Sequence, residues 1–110
     1  MEARSVISNL EKLLSEGRET ALLRFSLGNE YLKIREIWVA VFHLKRALEL
    51  DPNYSAAWKL LAAALAEGGV LNEALGTYRH GIEVAQRRGD QQAVKEMTVF
   101  ARRLEKKLSS

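Results

Sequence analysis

The stretch ALELDPNYSAAWKLLAAAL, residues 47–65, decides the fold. It holds the chain's only proline, Pro52, between two runs of strong helix formers. Proline lacks an N–H and its ring clashes with the preceding turn, so a helix ending near Leu50 cannot pass it. Asn53 then offers an N-cap for a helix carrying Trp58. Pro52 therefore reads as the break between two helical units.

Working outward, each unit reads as two helices. Residues 20–33 place apolar side chains at 23, 27, 31 and 34, one face of a 3.6-residue period. Ile37, Val41, Leu44 and Leu48 do the same over 37–50. The second unit follows with Trp58, Leu61 and Leu65, then Leu71, Leu75, Tyr78 and Ile82. Its turn is EGGV, where Gly68 and Gly69 offer a helix stop. The first unit has KIRE there; without glycine, that turn is expected to be tighter or partly helical.

Sliding the sequence on itself by 34 residues pairs Leu27 with Leu61, Gly28 with Ala62, Tyr31 with Leu65, Ala40 with Ala74, Leu44 with Tyr78 and Ala47 with Gly81. Few are identities; side-chain size is what repeats. Two antiparallel helices approach closely only where one side offers little bulk. Gly28, facing Ala40 and Ala47, supplies that in the first unit. Ala62, Ala74 and Gly81 supply it in the second.

This pattern resembles the tetratricopeptide repeat, a 34-residue helix–turn–helix with the signature W-x2-L-G-x2-Y, A-x3-F, P. The first unit matches at Leu27, Gly28, Tyr31, Ala40, Ala47 and Pro52, with Arg24 in place of Trp and Leu44 in place of Phe. The second matches at Trp58, Leu61, Ala74 and Tyr78, with Ala62, Leu65 and Gln86 at the Gly, Tyr and Pro positions. The chain also resembles short stand-alone bacterial proteins of this class. The resemblance implies an all-α fold of antiparallel helical hairpins stacked as a short right-handed superhelix of about six helices.

The expected organisation is a single domain, 1–110. Residues 1–17 form an N-terminal half-repeat helix ended by Gly17, with Val6, Leu10 and Leu13 where Ala40, Leu44 and Ala47 lie. Residues 20–52 are the first repeat and 53–88 the second. Residues 90–110 form a capping helix. This last segment fits poorly as a third repeat, since Lys95 and Glu96 fall where Leu and Gly are wanted.

In this family the first helices of the repeats line a concave groove that accepts an extended peptide or a helix. The matching positions are Leu22, Phe25, Asn29, Leu32 and Lys33, then Ala56, Lys59, Ala63, Ala66 and Glu67. Relatives that grip a terminal carboxylate use Lys and Asn at several of these places. Asn29 and Lys59 match, but Phe25 stands where the first Lys belongs, which argues against such a clamp. The alternative is an apolar trough for a partner helix or for the chain's own terminal helix.

Composition narrows the remaining choices. With 110 residues and 47% hydrophobic content, a core can form without staples. There is no cysteine, which excludes disulfides and cysteine metal sites. The opening residues lack a signal-peptide pattern and no apolar run is long enough to span a bilayer, so a cytoplasmic protein without membrane partners is expected. His43 and His80 are 37 residues apart on separate second helices and read as surface or boundary residues. No catalytic set, metal site or cofactor loop is present in the sequence pattern, and the resemblance implies a non-catalytic protein-binding module or adaptor. Self-association as a homodimer is the alternative within that class. Residues 87–110 carry 7 Lys/Arg against 3 Asp/Glu; this basic end could meet nucleic acid or another acidic partner, but it lacks stacking aromatics apart from Phe100, so nucleic acid is disfavoured. Trp58 is expected in the core, whereas Trp38 fits no repeat position and is open to either packing or contact.

Overall fold

The computed structural model describes residues 2–110, which form six α-helices in sequence: α1 (Glu2–Ser15), α2 (Ala21–Lys33), α3 (Ile37–Leu50), α4 (Ser55–Glu67), α5 (Leu71–Arg88) and α6 (Gln91–Leu108). Each packs against the next, and α2–α3, α4–α5 and α5–α6 are the most closely paired. Neighbours two apart meet only along one side: α2 touches α4, and α4 touches α6. Among the described residues, α1, α3 and α5 make no such approach to one another. The stack therefore curves, with α2, α4 and α6 on its inner face.

The small residues seat the hairpins as their spacing predicts. A Cβ built on Gly28 would lie 2.6 Å from Leu44 Cγ and 2.8 Å from its Cδ2. Ala40, Leu44 and Ala47 across the hairpin are fully buried. Gly81 plays a different part: a Cβ there would meet Met97 Sδ at 2.7 Å and Trp58 Cβ at 2.8 Å. It is where α5 receives both α4 and α6.

The helix ends repeat as well. After α2, the N–H of Glu36 donates to Tyr31 O and that of Arg35 to Leu32 O, both at 3.0 Å. After α4, Val70 N donates to Leu65 O and Gly69 N to Ala66 O. Both are Schellman closures, so the KIRE turn has the same form as EGGV and is not tighter. The left-handed position is Gly69 (φ 84°) in one and Arg35 (φ 64°) in the other. A side chain there is strained, and no glycine marks this turn in the sequence. Gly17 and Gly89 close α1 and α5 in the same conformation. Thr20 and Asp90 cap α2 and α6 through their side chains. Asn53 does not cap α4: its N–H instead donates to Asp51 Oδ1, and Tyr54 holds the cap position.

Arg24, in place of the repeat's usual Trp, is held by ions. Its guanidinium bonds Glu19 and lies 3.0 Å from His43 Nδ1. Arg46 grips the same Glu19 with two nitrogens. Hydrogen bonds from Arg46 and Arg24 hold the Glu19 carboxyl down at about 2. His43 is buried, which corrects its reading as a surface or boundary residue. It stacks on Tyr31, whose hydroxyl donates to Glu11 of α1. Burial and the Arg24 charge push its pKa down. Trp58 is half-buried, with its ring 4.2 Å from His80 and its Nε1 donating to Pro52 O at 2.8 Å. Trp38 both packs and protrudes: its indole edge covers Gly68 while 55% of the residue stays exposed.

Candidate binding groove

The inner face is built on helices whose opposite sides are locked in the core, so its side chains have fixed bases. Phe25 and Leu32 of α2 are half-buried and pack on the core. Phe25 lies against Tyr54, with ring centroids 4.9 Å apart, which joins α2 to the start of α4. Ala56 is exposed; Ala63 and Ala66 are half-buried. Large apolar groups on α2 therefore stand beside small ones on α4. Leu22, 64% exposed, lies at the edge, where it shares a cleft with Leu10, Leu13 and Arg18.

The polar positions are mostly engaged within the chain. Lys33 pairs with Glu30 at 2.8 Å. Glu67 lies 3.5 Å from Arg35, an exposed pair worth little. Lys59 bonds Glu96 of α6, and that bond draws the Glu96 pKa down. Asn29 is half-buried and makes no side-chain hydrogen bond among the described residues. The two clamp-like residues thus differ: one is neutralised by a neighbouring carboxylate and one is unengaged.

Helix α6 adds residues that repeat spacing did not assign to this face. Gln92, Ala93 and Glu96 join Tyr54, Ser55, Ala56, Lys59, Arg88 and Asp90 around a cleft of about 360 Å³. The terminal helix does not lie in the groove as a ligand; it continues the inner face beside α4. The signal was present at a spacing of 36, which aligns Met97 with Leu61 and Ala101 with Leu65. Helix α5 is 18 residues long against 14 for α3, and the link after it is two residues shorter, so the register shifts by two. A second recess, about 480 Å³, opens on the outer side between α3 and α5, walled by Leu48, Pro52, Trp58 and His80.

Stacked helical hairpins with small residues at the seats and a curved inner face define a helical-repeat scaffold. The chain belongs to the tetratricopeptide repeat (TPR) family, whose members are generally protein-interaction modules and usually non-catalytic. It is 46% identical over 101 residues to TPR repeat-containing protein PA0015 of Pseudomonas aeruginosa, covering 92% of this chain and 96% of that one. The solution structure of BPP2914 from Bordetella parapertussis superposes with a TM-score of 0.83 at 42% identity, covering 93% of this chain and 89% of that one. A TPR domain protein from Salinibacter ruber gives 0.74 at 28%, covering 79% and 88%. No protein-family model matches the chain. Among the described residues, no helix is long and apolar enough to cross a membrane.

Proposed function

We propose that the inner face of α2, α4 and α6 binds a helix or short peptide segment of a cytoplasmic protein partner through an apolar trough, and that the chain acts as a non-catalytic adaptor. Phe25, with Leu22 and Leu32 beside it, forms the large side of the trough. Ala56, Ala63 and Ala66 form the small side, which leaves room for a partner's side chains. Asn29 is available for a backbone contact. The observation that carries this reading is the tilted Phe25–Tyr54 ring contact next to the alanine row: an apolar surface already fixed by packing. Binding then orders little backbone, and less of the interaction energy is lost to entropy. The Lys59–Glu96 bond favours an apolar ligand over a terminal carboxylate, because a carboxylate would have to displace Glu96.

Peptides selected from a random display library against the full chain test this. Ala63→Arg fills the trough and Phe25→Glu charges it; each is expected to weaken the selected peptides about tenfold or more, equivalent to about 1.4 kcal/mol. Lys59→Ala is expected to change affinity by less than about threefold, a few tenths of a kcal/mol. Circular dichroism should be unchanged in all three. If peptides bind Ala63→Arg and Phe25→Glu as well as the parent, the groove is not the site. If Lys59→Ala abolishes binding, the ligand is read by charge.

A further inference from the structure

We propose that two copies of the chain pair back to back through the outer face of α3, with Phe42 at the two-fold axis and Trp38 of each copy over the other's recess between α3 and α5. The contact uses the side opposite the groove and does not depend on it.

The face begins in the sequence of α3. Trp38, Val39, Phe42, Lys45 and Glu49 are exposed, while Ala40, Val41, Leu44, Ala47 and Leu48 are buried. Helical geometry puts the exposed set on one arc, with Phe42 near its middle. Phe42 is 63% exposed, and Trp38, one turn before it, also stands largely in solvent. Large aromatic side chains held on a rigid helix are the type that anchors an interface.

What covers them is read from the symmetry of the face. Trp38 lies on the flank of α3 that faces α5, because its ring covers Gly68 in the turn between α4 and α5. The apolar recess of about 480 Å³ opens on the same flank beyond Phe42, where Lys45, Leu48 and Glu49 form its α3 wall. The face therefore carries an aromatic projection before Phe42 and an apolar hollow after it. A two-fold axis crossing α3 at Phe42 lays a second α3 antiparallel on the first and matches like flanks. Trp38 of the other copy then comes level with position 46, between Lys45 and Glu49, at the mouth of the recess. Phe42 meets its own equivalent. One surface supplies both halves of the contact, which is the condition for a closed dimer.

Charge agrees with this register. Arg35 and Glu49 lie seven residues either side of Phe42, so each meets the other across the axis. Both side chains are largely exposed: Arg35 has Glu67 3.5 Å away, and Glu49 has Arg46 at 3.3 Å. Lys45, paired with Glu73 at 3.2 Å, lies beside the incoming indole, where a cation is attracted to the ring face. On the opposite flank Arg24 and Arg46 share Glu19, which lowers the like charge near the axis. The contact is one helix of 14 residues on each side, smaller than a permanent interface, so the dimer dissociates on dilution.

Sedimentation velocity over a concentration series tests it. The parent chain is expected to shift from monomer to dimer as concentration rises and to stop there. Phe42→Glu puts two carboxylates at the axis and should weaken the dimer about tenfold or more. Arg35→Glu and Glu49→Arg each set like charges together twice, so each alone should pair more weakly than the parent. Mixed in equal amounts, they should form a one-to-one dimer, since both bridges then join opposite charges. These two sites are exposed, so they decide the matter if Phe42→Glu loses its helical signal. A parent chain that stays monomeric throughout overturns the proposal and leaves the face to another protein. So does growth past a dimer, a folded Phe42→Glu chain that pairs as tightly as the parent, or a mixture that pairs no better than either charge variant alone.

Discussion

Replacing Gly28 by alanine tests how the hairpins are held. In an open helix this change is favourable, since glycine costs about 0.5–1 kcal/mol relative to alanine. At Gly28 the new methyl would sit 2.6 Å from Leu44 Cγ, and Leu44 is fully buried. That carbon is a branch point near the backbone, so the helices must separate or Leu44 must leave its rotamer. Such overpacking costs about 1–3 kcal/mol. Offsetting the propensity gain leaves a net loss of about 1 kcal/mol, or a Tm lower by about 4–8 °C in a domain of this size. Gly76 is the control: it lies within α5, and a Cβ there meets nothing within 4 Å. Gly76→Ala should raise Tm by roughly 2–8 °C, following the propensity gain alone. Thermal melts by circular dichroism read both. Leu44→Ala should cost about 2–5 kcal/mol in the parent and less beside Ala at 28, a coupling within the range of about 0.5–3 kcal/mol expected for touching residues. If Gly28→Ala and Gly76→Ala stabilise equally, the seat is not tight and the reasoning from side-chain size fails.

Other expectations follow from the turns and the ionic cluster. Arg35→Gly relieves a left-handed side chain at the position Gly69 holds in the next hairpin; it should stabilise by about 0.5–1 kcal/mol in denaturant titrations, since the Arg35–Glu67 pair it removes is exposed. Glu19, held at about 2 against an ordinary 4.5, stabilises the fold fully above pH 4.5, and that contribution is lost as pH falls towards 2. Glu19→Gln should therefore lower Tm at neutral pH and flatten its decline over that window. His43 adds an earlier limb: its folded value lies below 6.5, so the unfolded chain takes up a proton first and stability declines as pH falls past 6.5. His43→Gln should remove that limb while leaving the one below pH 4.5.

Much of the fold was legible because the repeat is written in side-chain size. Gly28, Ala40 and Leu44 occupy places that Ala62, Ala74 and Tyr78 occupy 34 residues on, and the structure puts the first set in contact. Pro52 marked the one break between hairpins that the chain encodes with a helix breaker. The second break, after residue 88, was legible as well, but α5 runs a turn longer than α3 and ends on Gly89, so the 34-residue spacing did not carry over to α6. That hid the contribution of Gln92, Ala93 and Glu96 to the inner face. The Glu19–Arg24–Arg46–His43 cluster was not legible either. Its members lie up to 27 residues apart, and nothing local in the sequence marks Glu19 as the centre. Lys59 was legible as a groove position, but its pairing with Glu96 depends on where α6 lies.

The central claim is that the curved inner face is the binding surface. Amide chemical-shift mapping of the labelled chain, titrated with a library-selected peptide, tests it most directly. The account predicts that the largest shifts fall on Phe25, Asn29, Ala56, Ala63 and Ala93, with Trp38 and Phe42 on the outer side unmoved. Shifts centred on Trp38, Phe42 and His80 instead would contradict it and move recognition to the convex face.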